Sequence, residues 1–279
     1  SGSVYKIFGL FESGDSIPLI TKFRDIGGSP EQLGGSPAEI NFYRNIADIA
    51  GVASPLTYVA EFDQSSGYTM IIQEHLAEGT VGSIQTYLSV VEVTRIVRAL
   101  AGMHAKWWNS VELANLKSVR TFEEVWDAGA MLFASGVYSG RRFYEKYGDR
   151  VHPEVVSFFD SDTHWGPIVR SGFSSNRTLC HYDVAAKNLS LPKDPTEPPV
   201  FFDWSLLVKG SIGVELGQVV AYSLRIEEHH RIPEVLDSYI ESMRELGVVD
   251  LSRDILWEDV RYGLLTRLAA PIALTSRNY

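Results

Sequence analysis

Cysteine and long apolar stretches are what this chain of 279 residues has least of. Its single cysteine, Cys180, excludes an internal disulfide and any cysteine-rich zinc site, and it favours a reducing compartment. The longest stretches without Asp, Glu, Lys or Arg, such as residues 128–140, are too short to cross a bilayer. No charged and then apolar leader opens the sequence. We therefore expect a cytoplasmic protein with no membrane partner.

Excess positive charge is also missing. Twenty-five basic side chains face 35 acidic ones, and the net charge of −10 has the wrong sign for a nucleic-acid-binding protein. This charge slightly favours a cationic small molecule as the partner. The chain contains no Gly-x-Ser-x-Gly, His-Glu-x-x-His or Gly-x-x-x-x-Gly-Lys pattern, which argues against a serine hydrolase, a zincin and a P-loop protein. The hydrophobic content of 45% is that of a globular protein.

The pattern of the first eighty residues is β-rich. Runs of β-branched and aromatic residues separated by turn signals predict two strand pairs, at residues 4–11 with 16–23 and 56–62 with 68–73. Residues 38–50 have helical spacing instead. After Glu78 long helical patterns predominate. We therefore divide the chain into a small β-rich lobe, residues 1–78, and a larger mainly helical lobe, residues 79–279.

A short β island in the second lobe carries the most informative side chains. Residues 188–191 and 200–203 predict two strands joined by a proline-rich turn. If Leu191 pairs with Val200, paired residue numbers in the antiparallel ladder sum to 391, and Asn188 lies opposite Asp203. Facing side chains are about 5 Å apart at Cβ, so an amide oxygen and a carboxylate could hold one hard cation between them.

Asp183 lies five residues before Asn188, close enough for the loop to place a second carboxylate beside that cation. Phosphoryl transfer needs a cation on the phosphates, a carboxylate that accepts the hydroxyl proton, and a nucleophile held in line. The spacing also matches the Asp-x-x-x-x-Asn element of kinase catalytic loops. The alternative interpretation is that Asp183 and Asn188 form turns and that Asp203 caps a strand end.

This region resembles the aminoglycoside phosphotransferase and choline kinase-like superfamily. The segments LCHYDVAAKNLSL and VFFDWSLLVKGSIGVELGQVV are similar to its signature, His-x-Asp-x-x-x-x-Asn followed by a hydrophobic strand ending in Asp-Trp. Three further segments resemble the helix before the catalytic loop, the lysine strand and the small-lobe helix: LAGMHAKWW, PLITKF and AEINFYRNI. The resemblance implies an α+β, two-lobed protein kinase-like fold with a nucleotide between the lobes.

The resemblance also assigns roles by position. It implies that Asp183 is the catalytic base, that Asn188 and Asp203 hold Mg²⁺, and that Lys22 binds phosphate with Glu39 as its ion-pair partner. A hinge that binds the purine of ATP or GTP through backbone groups is expected at Gln73, Glu74, His75 and Leu76. For Glu39 a second interpretation stays open, because Ser36-x-x-Glu39 is a capping-box pattern.

Three departures from the family pattern affect these roles. Tyr182 stands between His181 and Asp183, where glycine is common, and would narrow the catalytic loop. Glu215 stands where the family often has an Asp that anchors that loop. The first strand and much of the phosphate-covering loop are expected to be missing or trimmed, because Val4 already has the pattern of the strand after that loop. We interpret His104 as a residue of the hydrophobic core. We interpret His181 as a residue that braces the catalytic loop.

We therefore predict a phosphotransferase that uses ATP or GTP to phosphorylate an alcohol group of a small molecule. Aminoglycoside-like, amino alcohol-like and lipophilic alcohol-like acceptors all fit. The alternative is a nucleotide-binding pseudokinase or regulatory module that transfers no phosphate. Acidic residues after residue 221 favour a cationic acceptor: Glu227, Glu228, Asp237, Glu241 and Glu245. Aromatic residues between 122 and 165 suit an apolar one: Trp126, Phe133, Tyr138, Phe143, Tyr144 and Trp165.

Overall fold

The computed structural model describes residues 2–10, 12–25, 38–77, 80–83, 85–126, 140–160 and 173–276. The described part begins with a four-stranded antiparallel sheet and one helix and continues with a mainly helical part. The predicted α+β class with a β-rich first lobe and a helical second lobe is confirmed. Among the described residues, no helix is sufficiently long and apolar to span a membrane.

The sheet consists of the two strand pairs that the sequence predicts. Its strands are β1 (Gly2–Leu10), β2 (Ser16–Asp25), β3 (Thr57–Asp63) and β4 (Tyr68–Glu74), in the order β1-β2-β4-β3. The second turn is held by the Asp63 carboxylate, which accepts hydrogen bonds from Ser65 and Ser66. Lys22 lies on β2, between Val4 of β1 and Ile71 of β4.

The helices form the rest of the scaffold. They are α1 (Ala38–Asn45), α2 (Val90–Trp107), α3 (Val111–Asn115), α4 (Gly140–Tyr147), α5 (Pro153–Asp160), α6 (Ile212–Tyr222), α7 (Ile232–Glu245) and α8 (Arg253–Ser276). Helix α2 begins at a capping box in which Ser89 and Glu92 bond each other's backbone amides. Its buried face, together with those of α6 and α7, forms the main hydrophobic core.

Helices α6 and α8 cross at glycines. A Cβ on Gly263 would lie 1.9 Å from the carbonyl oxygen of Gly213, and a Cβ on Gly217 would lie 2.9 Å from the backbone nitrogen of Leu264. The two backbones therefore touch, because glycine has no side chain to keep them apart. This close approach fixes α6, whose inner face carries Glu215 and Gln218.

The second part of the described chain also contains two small two-stranded ladders. They are β5 (Thr178–Cys180) with β8 (Val208–Gly210) and β6 (Leu189–Ser190) with β7 (Val200–Phe201). The predicted register of the second ladder is wrong by one residue. Ser190 pairs with Val200 and Leu189 with Phe201, so paired numbers sum to 390.

The shift has a local cause at both ends of the ladder. Residues 186–188 form a 3-10 turn, and the backbone amide of Phe202 donates to the carbonyl of Asn188 at 3.1 Å. Asp203 leaves the strand with a φ of 65°. Asn188 therefore lies opposite Phe202, and the ladder itself does not place its side chain against Asp203.

Candidate active site

The Asp183 carboxylate lies at the centre of a cluster of donors. Its Oδ2 accepts hydrogen bonds from Lys187 Nζ at 2.7 Å and Asn188 Nδ2 at 2.9 Å. Its Oδ1 accepts from Gln218 Nε2 at 2.8 Å. Asn188 also donates to the backbone carbonyl of Asp183, which closes the loop between the two residues. The structure therefore brings Asp183 and Asn188 together as the five-residue spacing suggests.

Lys187 and Gln218 were not among the sequence candidates. Gln218 had a usable signal, because it lies three residues after Glu215 and therefore on the same face of α6. Lys187 lies inside the motif, four residues after Asp183, and its ion pair depends on the 3-10 turn that carries it. Both side chains orient the carboxylate that the resemblance assigns as the base.

His181 braces this loop, as expected. Its Nε2 lies 3.0 Å from the carbonyl oxygen of Phe202, and its Nδ1 accepts from the Asp183 amide at 3.2 Å. Burial lowers the pKa of the His181 imidazole, and the nearby Glu215 carboxylate offsets only part of that effect. The ring is therefore neutral at pH 7 and links the Asp183 amide to Phe202, the residue before Asp203.

A buried carboxylate anchors the residue before Asp183. Glu215 Oε1 accepts from the Tyr182 amide at 2.9 Å, and its Oε2 lies 2.6 Å from His104 Nε2. His104 Nδ1 lies 2.8 Å from the Tyr239 hydroxyl, so both ring nitrogens are satisfied in the core. Burial opposes the charge of Glu215, but hydrogen bonding and attraction to His104 keep its pKa below the usual value. Glu215 therefore anchors the loop despite its extra methylene.

Lys22 joins the two lobes through carboxylates. Its Nζ lies 2.7 Å from Glu39 Oε2 in α1 and 3.3 Å from Asp203 Oδ1. Burial disfavours the Lys22 ammonium, but attraction to the two carboxylates outweighs burial and holds its pKa above the usual value. Glu39 is therefore placed as the ion-pair partner of Lys22. Ser36, the other half of the capping-box alternative, lies outside the described residues.

An aromatic contact aligns α1 with the loop that carries Asp203. Phe42, one turn after Glu39, stacks on Trp204 with ring centroids 3.7 Å apart and planes 8° from parallel. Trp204 follows Asp203 directly and is fully buried. Because Glu39 and Phe42 share one face of α1, the helix holds Lys22 and the Asp203 loop together. The sequence pattern gives no signal for this contact, which joins residues far apart in the chain.

The hinge candidates lie at the end of β4. Gln73 donates to the Thr57 hydroxyl, and the Glu74 carboxylate accepts from the Leu56 amide. The amide of His75 donates to the carbonyl of Pro18 at 3.3 Å. The side chains of Gln73 and Glu74 thus support the sheet. Leu76, just beyond, forms no backbone hydrogen bond to another described residue.

The oxygen atoms near Asp183 suit a hard divalent cation. The side-chain amide nitrogen of Asn188 donates hydrogen bonds to Asp183. Its Oδ1 accepts no hydrogen bond from another described residue. The Asp203 carboxylate is one-third exposed. Burial opposes its charge, but attraction to Lys22 outweighs burial and keeps its pKa below the usual value. Carboxylate and amide oxygens are ligands that Mg²⁺ accepts, so these two residues fit the group that the resemblance implies.

The surroundings of the loop that carries Asp183 are aromatic. Phe122 is buried with its ring 5.8 Å from that of Tyr182, 5.8 Å from that of Trp126 and 5.3 Å from that of Phe173. Three of the aromatic residues expected near the acceptor lie outside the described residues: Phe133, Tyr138 and Trp165. The described aromatic cluster therefore adjoins the loop on one side of Asp183.

Several of the acidic residues expected to attract the acceptor are already paired. Asp237 pairs with Arg253 at 2.8 Å, and Glu228 lies 3.4 Å from Arg231. Glu241 lies 3.9 Å from Arg98. These contacts reduce the charge that this surface presents to an incoming cation.

The fold is shared with small-molecule phosphotransferases and kinases of known structure. An aminoglycoside 3'-phosphotransferase of type VIII matches 94% of this chain and 93% of its own, with a TM-score of 0.57 and 15% identity. The choline kinase of Cryptosporidium parvum matches 99% of this chain and 84% of its own, with a TM-score of 0.54 and 12% identity.

A third structure contains ligands. It is an aminoglycoside phosphotransferase from Streptomyces rimosus in complex with ADP and streptomycin, which matches 93% of this chain and 92% of its own, with a TM-score of 0.53 and 10% identity. No protein-family profile and no curated protein sequence matches the chain. The three structural matches show that the chain has the two-lobed kinase-like fold, as the sequence resemblance implied.

Proposed function

We propose that this protein is a phosphotransferase that moves the terminal phosphoryl group of ATP or GTP to an alcohol group of a small molecule. The observation that carries the proposal is the placement of Asp183. Its carboxylate is oriented by Asn188 and Gln218, and the neighbouring loop holds Asp203 against Lys22. Phosphoryl transfer requires this combination of a positioned base and charges that bind phosphates.

In the proposed reaction Asp183 accepts the proton of the acceptor hydroxyl. The hydroxyl oxygen forms a bond to the terminal phosphorus as the bond from that phosphorus to the bridging oxygen breaks, and the nucleoside diphosphate leaves. Lys22 binds the phosphates, and Glu39 holds its side chain in place. Mg²⁺, held by Asn188 and Asp203, would neutralise charge on the phosphate oxygens.

The nucleotide is proposed to bind between a lobe of residues 1–78 and a lobe of residues 79–279. The hinge at residues 73–76 would contact the purine through backbone groups. The backbone groups of Leu76, which form no hydrogen bond to another described residue, support this assignment, whereas Gln73 and Glu74 contribute by holding the end of β4 to the Leu56–Thr57 segment.

Turnover with a panel of candidate acceptors tests the proposal. Purified protein with ATP or GTP and Mg²⁺ is offered amino sugars, amino alcohols and lipophilic alcohols, and diphosphate release is measured. We expect Mg²⁺-dependent turnover with one of these classes. Folded protein that binds nucleotide but turns over with none of them would contradict the proposal.

A nucleotide-binding pseudokinase or regulatory module is the second candidate. The observation that favours it is the Lys187 ammonium 2.7 Å from Asp183 Oδ2, because it neutralises the carboxylate that must accept a proton. Calorimetric titration with ATP and Mg²⁺ separates the candidates when read beside turnover. Tight binding without transfer to any acceptor would favour the module.

A further inference from the structure

Tyr182 has a backbone conformation that its side chain disfavours. Its φ is 68°, in the left-handed region where a Cβ crowds the backbone. The other non-glycine residues with positive φ in the described chain are Asn109 and Asp203, whose short polar side chains tolerate this region better. The conformation also accounts for the glycine that is common at this position in the family that the sequence resembles. Some contact must therefore hold Tyr182 in place.

The contacts come from Glu215 and Arg267. Glu215 fixes the Tyr182 amide. The Arg267 guanidinium lies over the Tyr182 ring, 4.1 Å from its centroid, and its Nη2 donates to the Tyr182 carbonyl. One side chain from α8 thus holds both the ring and the carbonyl of the residue that precedes Asp183.

Arg267 has little other use in the described part of the protein. It is 8% exposed, forms no ion pair with a described carboxylate, and its Nε has no hydrogen-bond partner. A buried cation is unfavourable without compensation, and here the compensation comes from a π face and a carbonyl, both of Tyr182. Burial also raises the pKa of the Tyr182 hydroxyl, so the ring stays neutral.

We propose that Arg267 is a positioning residue that holds Tyr182 in its left-handed conformation and thereby fixes Asp183 for phosphoryl transfer. The kinetic part of this inference rests on the proposed function, whereas the structural part does not. A glycine at position 182 adopts positive φ without a brace. Loss of Arg267 should therefore lower kcat when residue 182 is tyrosine and change kcat little when it is glycine.

The kinetic test is a double-mutant cycle with R267M, Y182G and both changes together. We expect R267M to lower kcat about tenfold with the nucleotide KM nearly unchanged, the size expected when a left-handed L-residue loses its support. In the Y182G background the same change should alter kcat less than about twofold. R231M is the matched control, since Arg231 is a partly exposed cation whose ion pairs with described residues are those to Glu228 and Glu234. Equal losses from R267M in both backgrounds, or no loss in either, would overturn the inference.

A second pair of variants covers the case in which R267M does not fold. Y182A and Y182G both remove the ring, but only alanine retains the disfavoured φ. We expect Y182G to be the more active and the more stable of the two. A Y182A variant that is as active and as stable as Y182G, or more so, would contradict the role of the left-handed conformation.

Hydrogen exchange separates this inference from the proposed function. Exchange of the backbone amides at residues 178–188 should rise in R267M, and Y182G should abolish that rise. This pattern in a protein without kinase activity would support the positioning role and contradict the proposed function. Active protein whose loop exchange does not respond to R267M would contradict the positioning role alone.

Discussion

Each oxygen of Asp183 is engaged by the protein. Asn188 and Gln218 hold the carboxylate by neutral amide donors, and Gln218 is almost fully buried. Lys187 differs from both, because its side chain is 38% exposed and its ammonium can leave Asp183. An acceptor hydroxyl must displace or share the Lys187 contact if Asp183 is the base. The amide donors therefore orient the Asp183 carboxylate, and the ammonium balances its charge.

The first prediction concerns Lys187. Lys187→Met removes the ammonium 2.7 Å from Asp183 Oδ2, where charge changes during transfer. We expect kcat to fall about tenfold while nucleotide affinity changes little, because preorganised charge next to the reacting groups acts mainly on the transition state. Steady-state kinetics and nucleotide titration measure the two effects. Lys193→Met, an exposed lysine of the proline-rich turn, is the control. An unchanged kcat in Lys187→Met would contradict this role of the ammonium, and a raised kcat would show that the ammonium restrains Asp183.

The second prediction concerns His181 and acid. Because burial lowers the pKa of His181 below its ordinary 6.5, the unfolded chain binds this proton more readily than the folded one. Its contribution to stability is therefore complete above about pH 6.5 and declines as the pH falls below that value, by at most about 1.4 kcal/mol per pH unit.

Chemical denaturation across this range tests the prediction. We expect the free energy of unfolding to fall more steeply below about pH 6.5 in the wild type than in His181→Gln, which keeps an N–H donor for Phe202 but does not titrate. Parallel pH profiles for the two proteins would show that His181 is not held neutral.

At the scale of elements, α6 and α8 support the loop that carries Asp183. Glu215 and Gln218 reach Tyr182 and Asp183 from α6, and Arg267 reaches Tyr182 from α8. The glycine crossing sets the distance between these helices, so a change in one backbone moves three of the side chains that hold the loop.

The third prediction tests this crossing. Gly263→Ala places a Cβ 1.9 Å from a carbonyl oxygen of α6, which neither backbone can accept without moving. We expect the free energy of unfolding to fall by about 1–3 kcal/mol or more, with a loss of kcat in the protein that remains folded. Denaturant titration gives the first quantity. Arg261→Ala, at an exposed position of α8, should leave both unchanged. A Gly263→Ala protein as stable as the Arg261→Ala protein would contradict the close crossing.

Both hairpins of the four-stranded sheet were predictable from the sequence because each has a strong local signal, whereas the β5–β8 ladder was not predicted. Alternating apolar residues and turn residues predict both hairpins, and the second closes at the Asp63–Tyr68 pair, one residue beyond the predicted strand end at residue 62. The register of β6 with β7 was not predictable, because the 3-10 turn at residues 186–188 includes Asn188, which the pattern assigns to a strand. A one-residue error then misplaced Asn188 relative to Asp203.

The candidate site was predictable where the motif fixes a residue, and less so where tertiary packing does. Asp183 and Asn188 are joined by a short loop, and Lys22 and Glu39 are joined as the resemblance implied. Arg267 had no sequence signal, since it lies 85 residues from Tyr182 and looks like an ordinary helical arginine. The link between them depends on how α8 crosses the lobe.

For the whole molecule, the net charge of −10 favours a cationic acceptor, while the aromatic cluster around Phe122 favours an apolar one. Exposed charges are screened beyond about 8 Å at physiological ionic strength, so the two cases differ in salt dependence. This contrast gives the fourth prediction.

For a cationic acceptor we expect its KM to rise several-fold from low to high salt while the nucleotide KM changes little. Initial rates at two ionic strengths, with each substrate varied in turn, measure both constants. An acceptor KM that does not depend on salt would point to the apolar acceptor instead.

The most direct test of the central claim compares the wild type with Asp183→Asn and Asp203→Ala, measuring both the phosphorylated acceptor and Mg²⁺-dependent nucleotide binding. We predict that the wild type forms the phosphate monoester and that Asp183→Asn binds nucleotide almost normally but turns over about 10²–10⁴ times more slowly. Asp203→Ala should instead lose much of its Mg²⁺-dependent binding. Full activity in Asp183→Asn would contradict the assignment of Asp183 as the base, and with it the proposed mechanism.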